Sequence, residues 1–96
     1  MTKFRDVSGM VAIVTGSARG IGKGIAETLA SEGVQVVMAD KLDLVKESCE
    51  EIKKNNPGFD GYAVELDVSD ESAIKDLVEG AVKKFGKLDI IANNAG

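Results

Sequence analysis

Four short apolar runs alternate along the chain with three stretches in which apolar residues recur every three or four positions. Residues 10–14, Met-Val-Ala-Ile-Val, carry no polar interruption, the pattern of a strand buried on both faces. Residues 34–39, 62–66 and 88–92 are similar short runs, each with one polar residue (Gln35, Glu65 and Asp89), and the runs close at Thr15, Asp40, Asp67 and Asn93. Between the first two runs, Ile21, Ile25, Ala26, Leu29 and Ala30 predict a helix stopped at Gly33. Leu42, Val45, Cys49 and Ile52 predict a second, ended by Asn55-Asn56-Pro57-Gly58. Ile74, Leu77, Val78, Ala81, Val82 and Phe85 predict a third. Ser69 would be its N-cap, Asp70 and Glu71 lie in its first turn, Lys83 and Lys84 in its last, and Gly86 follows.

The order is therefore β-α-β-α-β-α-β. Such alternation builds an α/β fold around a parallel sheet with right-handed crossovers. Two crossovers running outward from the first strand and a third returning to its other side give the strand order 3-2-1-4. This is a doubly wound, Rossmann-type sheet, here partial, in a single domain over residues 1–96. The crevice between strands one and four is where such sheets bind ligands.

Composition narrows the function. Twelve basic against sixteen acidic residues give a net charge of −4, without the basic face that a nucleic-acid binder presents. The chain has no His and one Cys, which removes zinc sites, disulfide frameworks and His-based triads. No apolar run approaches the ~20 residues of a membrane helix, and no signal segment opens the chain. With one Cys, this reads as a cytoplasmic protein with no membrane or metal association. Cys49 falls on the apolar helix face and reads as a core thiol. Glu50-Glu51 and Lys53-Lys54 read as a solvated helix face.

The candidate chemistry lies in Thr15-Gly-Ser-Ala-Arg-Gly-Ile-Gly22, which follows a strand and opens a helix. Glycines there permit a tight turn and let backbone N–H groups approach an anion, and the helix N-terminus adds donors and partial positive charge. A pyrophosphate is the natural guest; close helix–strand packing with no ligand is the other reading. The loop is not a Walker A motif, because Ser17 and Gly24 stand where a glycine and a hydroxyl are required. Nor is it G-x-G-x-x-G; its spacing is G-x-x-x-G-x-G. Asp40 lies 24 residues beyond Gly16, near the ~20-residue interval at which an acid meets an adenosine ribose. Its carboxylate would accept from ribose hydroxyls and repel a 2′-phosphate, favouring NAD over NADP; its alternative role is to cap the next helix.

Together with Leu66-Asp-Val68 and Asn93-Asn-Ala-Gly96, these residues resemble the short-chain dehydrogenase/reductase family over nearly the whole chain. The resemblance implies roles by position. Gly16, Ser17, Arg19, Gly20, Ile21 and Gly22 would wrap the cofactor diphosphate and ribose. Asp40 would read the ribose, and Asp67 and Val68 would contact adenine. Asn93 and Ala95 would lie near the nicotinamide side, and Asn94 would tie neighbouring strands. Arg19 and Lys41 pull toward NADP, or are solvated surface charge, whereas Asp40 argues for NAD.

The family's reaction is hydride transfer between nicotinamide and a secondary alcohol or ketone, through Ser, Tyr and Lys with a further Asn. The single tyrosine, Tyr62, is followed four residues later by Leu66 rather than Lys, so it reads as structural. No catalytic residue is expected in this chain. The expectation is an N-terminal, cofactor-binding portion of an oxidoreductase that acts on a small-molecule alcohol or ketone and forms a homo-oligomer, inactive as 96 residues alone. The alternatives are a non-catalytic dinucleotide-binding module and a split fragment that docks its open strand edge on a partner chain.

Overall fold

A computed structural model describes residues 7–94. The chain forms β1 (Val11–Thr15), α1 (Gly20–Ser31), β2 (Gln35–Asp40), α2 (Leu44–Asn55), β3 (Tyr62–Glu65), α3 (Glu71–Phe85) and β4 (Ile90–Asn93). All strand pairs are parallel and the order is β3-β2-β1-β4, as the pattern predicts. The register sets Thr15 beside both Ala39 and Asn93, and Asp40 beside Glu65. The carboxyl ends of the four strands thus finish nearly level, and the loops after β1, β2 and β3 leave the same edge of the sheet.

Side chains alternate across the strands and feed two cores. Ala12, Val14, Val36 and Met38 meet Ala26 and Ala30 of α1 and Val45, Cys49 and Ile52 of α2 on one face. Ile13, Val37 and Ala39 meet Leu77 and Ala81 of α3 on the other. Two helices cover one face and one covers the other, so Ile91 on edge strand β4 remains 58% exposed. Cys49 is buried, and burial pushes its thiol pKa up. Tyr62 stacks on Phe85, with the Lys84 ammonium 5.2 Å from its ring centroid. No helix among the described residues is long and apolar enough to cross a membrane.

Several boundaries differ from the sequence reading for identifiable reasons. β1 ends at Thr15, where the run closes and pairs with Ala39 and Asn93, but begins at Val11, one residue after the run does. β4 begins at Ile90, two residues late. The Asp89 carboxylate takes the Val11 N–H at 2.9 Å while the Asp89 N–H bonds the Val11 carbonyl. Leu42 precedes α2 rather than lying on its stripe. Ser69 is not the cap of α3: Asp70 is, accepting from the N–H groups of Ser72 and Ala73. Ser69 instead folds back on Asp67 through its N–H and hydroxyl. Val82 lies on the flank of the α3 stripe and is exposed. α1 closes as expected: Gly33 N–H bonds Ala30 O and Val34 N–H bonds Leu29 O, a complete Schellman motif.

Candidate functional site

The loops after β1, β2 and β3 enclose a cleft of about 730 Å³ lined by Gly16, Arg19, Gly20, Asp40, Lys41, Leu42, Leu66, Asp67, Val68 and Ser69. The chain leaves β1 at Gly16 with φ +63°, a left-handed conformation that side chains rarely tolerate. Arg19 is extended at the start of α1 and supplies no side-chain cap, and the first turn of α1 has no acid. α3 differs, with its first amides taken by Asp70. The N-terminus of α1 therefore keeps its partial positive charge at the cleft with no side-chain cap and no acid in its own first turn. An anionic group fits this donor set.

Gly22 is needed for a different reason. A Cβ on it would lie 2.0 Å from the Gly16 carbonyl oxygen and 2.8 Å from Asn94 Nδ2. Only glycine lets α1 start this close to the end of β1. Asn94 spans the same place, its N–H donating to Thr15 Oγ1 at 3.0 Å and its Nδ2 to Gly16 O at 3.4 Å. It ties β4 to β1, as expected of it. Thr15 donates in turn to Asn93 Oδ1 at 3.0 Å.

Asp40 sits between two loops. Its Oδ2 accepts from Ala18 N–H at 3.0 Å and its Oδ1 from Leu42 N–H at 3.1 Å. It does not cap α2, whose N-cap position is Asp43. A carboxylate has about four acceptor positions, so two remain for hydroxyl donors. Asp67 is exposed and lines the same cleft. The Ser69 N–H, reinforced by the Ser69 hydroxyl and by nearby Lys41, holds its carboxyl below the ordinary aspartate range. It is thus ionised and acceptor-only at neutral pH, suited to an exocyclic amine.

Of the residues singled out from the sequence, Gly16, Arg19, Gly20, Asp40, Asp67 and Val68 line this one cleft. Gly22 lies buried behind it. Ser17 is fully buried, and its hydroxyl and N–H both reach the Ala39 carbonyl, at 3.4 and 3.3 Å. Ile21 is 76% exposed and lies in a separate apolar hollow with Gly24, Ile25, Thr28 and Leu29. Asn93 lines a second hollow of about 380 Å³ with Ile13, Thr15, Ile74 and Ile91; Val68 borders both this hollow and the cleft. Ala95 lies outside the described residues. Leu42, which sequence spacing places on a helix stripe, stands instead on the cleft wall. Ser48, with no role legible in the sequence, donates to the Ala18 carbonyl inside the glycine-rich loop. A serine within an amphipathic helix carries no signal of such a contact.

Residues 10–96 match the family profile described as short chain dehydrogenase. Glucose 1-dehydrogenase 2 of Bacillus subtilis is 43% identical over 95 residues, 97% of this chain and 36% of that protein. Among solved structures, L-sorbose reductase from Gluconobacter frateurii, complexed with NADPH and L-sorbose, superposes with TM-score 0.86 and 37% identity, over 94% of this chain and 34% of that one. Carveol dehydrogenase from Mycobacterium avium, in complex with NAD, gives TM-score 0.85 and 31% identity, over 95% of this chain and 37% of that one. The chain belongs to the short-chain dehydrogenase/reductase family. It spans about a third of the length of the curated relatives it matches.

Proposed function

We propose that this chain forms the dinucleotide-binding part of a short-chain oxidoreductase and that its cleft holds the adenosine diphosphate half of NAD. One observation carries the reading: an uncapped helix N-terminus, a left-handed glycine turn and a carboxylate at the end of β2 share one cleft. In this arrangement the loop from Gly16 to Gly22 binds the diphosphate through backbone N–H groups and the α1 dipole. Asp40 accepts from the ribose hydroxyls with its remaining lone pairs. Asp67 accepts from the adenine amine, Val68 borders the ring and Leu42 gives it an apolar wall. Asn93 lies toward the nicotinamide, and the family resemblance gives the same role to Ala95, outside the described residues. Ser17 and Ile21 act indirectly, Ser17 by fixing the loop to β2 and Ile21 from the first turn of α1.

The bound dinucleotide supplies or takes up a hydride, and the reacting partner is a secondary alcohol or ketone. The residues of this chain hold and orient; proton transfer belongs to residues outside it. Tyr62 is engaged with Phe85 and Lys84, away from the cleft lining. The relatives named above act on glucose, L-sorbose and carveol by their names, which fits an alcohol or ketone without choosing one. Cytoplasmic location and a homo-oligomeric parent belong to the same proposal.

NAD is favoured over NADP because a 2′-phosphate would face the Asp40 carboxylate and lose its hydrogen bonds. Arg19 and Lys41 on the same cleft act in the other direction. Asp40→Ala should weaken NADH binding by about tenfold or more, as expected for hydrogen bonds to a charged group, and weaken NADPH binding less. Fluorescence titration of both cofactors measures it; equal loss for the two would remove the ribose role.

A further inference from the structure

Building on the dinucleotide reading, we infer that Ser48, on the outer helix α2, is a positioning residue that aims the diphosphate-binding loop. The glycine-rich loop divides into two halves. Its outer half, Arg19 and Gly20, is exposed on the cleft wall. Its inner half, Ser17 and Ala18, is almost completely buried and is tied down by three partners. The Ala39 carbonyl receives the Ser17 N–H and hydroxyl. Asp40 Oδ2 receives the Ala18 N–H at 3.0 Å. The buried Ser48 hydroxyl donates to the Ala18 carbonyl.

The last of these bonds bears most directly on an anion. The Ala18 carbonyl and the Arg19 N–H belong to one peptide unit, which is planar and trans. Holding the carbonyl toward α2 therefore fixes the Arg19 N–H in the opposite direction, and with it the first amide of the turn into α1. One helical turn further along α2, Glu51 pairs with Lys23 of α1 at 2.9 Å. Ser48 and Glu51 thus hold the loop and the start of α1 from the same side. Removing the hydroxyl leaves a buried carbonyl without its donor and frees that peptide to rotate. The effect falls on a ligand that Ser48 itself does not touch.

The test uses the intact protein and two variants. Ser48→Ala removes the bond, and Ile52→Val loosens the buried face of the same helix while leaving the bond in place. Two quantities are read: amide hydrogen exchange at Ala18, whose N–H lies in the adjoining peptide unit and is held by Asp40 only while the loop stays in place, relative to Ile13 without ligand, and the Kd for NADH. Ser48→Ala is expected to speed Ala18 exchange relative to Ile13 by about fivefold, and to raise the NADH Kd by a similar factor, from loss of one ordinary hydrogen bond. Ile52→Val is expected to lower the melting temperature without changing either ratio. If both variants give the same Kd and the same exchange ratio, Ser48 is only a stabilising residue and the inference is overturned. If the unmodified protein binds neither NADH nor NADPH, the dinucleotide reading falls by itself. Selective loss of Ala18 protection in Ser48→Ala would then still establish the brace, and unchanged protection would overturn it.

Discussion

Gly22 and Asp40 show how much of the site depends on single atoms. A Cβ at position 22 meets the backbone carbonyl of Gly16, just after β1, at 2.0 Å, which no side-chain rearrangement relieves. Gly22→Ala should therefore displace the start of α1, costing about 1–3 kcal/mol in an unfolding titration, with NADH affinity falling at the same time. Asp40 is legible from its place at the end of the second apolar run, but its bonds to Ala18 and Leu42 are not. Those bonds join residues 22 and 2 positions apart in sequence, and only the parallel register brings Ala18 to the carboxylate. Ser17 and Ile21 show the limit of motif reading from the other side. Both lie inside the glycine-rich segment, yet one is sealed against β2 and the other faces a different hollow. Adjacent residues in a loop point in different directions, and spacing alone does not say which.

Among the elements, helix ends and strand starts were the least legible. Ser69 and Asp70, adjacent at the start of α3, are both of residue types that cap helices, and the sequence pattern points to Ser69. Asp67 decides the matter by capturing Ser69, which leaves Asp70 to bond Ser72 and Ala73. Asp70→Ala should destabilise the protein by about 1 kcal/mol, whereas Ser69→Ala should leave α3 intact; denaturation midpoints of the two separate the roles. The start of β4 rests on Asp89. The Val11 N–H, with a further contribution from Lys87, holds the Asp89 carboxyl below the ordinary aspartate range. A carboxyl depressed by folding adds stability that is complete above its unfolded pKa of about 3.9 and is lost as pH falls through the lower folded value. Below about pH 4 the protein should lose stability more steeply than Asp89→Asn, measured by thermal melts across the acid range. Parallel acid curves for the two would separate Asp89 from the acid sensitivity.

At the scale of the molecule, the alternation of apolar runs and helical stripes was enough to give element order, parallel pairing and the order β3-β2-β1-β4. Handedness and short connections leave few other ways to bury four such runs. The carboxyl ends of the strands mark the edge of the sheet on which the cleft lies, but the crevice expected between strands one and four is not that cleft, which lies among the loops after β1, β2 and β3. The internal wiring of the site did not follow, since Ser48 reaches Ala18 only once α2 has packed beside α1. The sheet's own design places the α1 N-terminus, Asp40 and Asp67 around one cleft, and the account rests on that cleft taking a dinucleotide. The most direct measurement is a backbone-amide NMR titration of the protein with NADH. Shifts concentrated at residues 16–22, 40–42 and 67–69 are predicted, with NADPH producing them at higher concentration. Shifts confined to the hollow between α3 and β4, or none at millimolar NADH, would contradict the account.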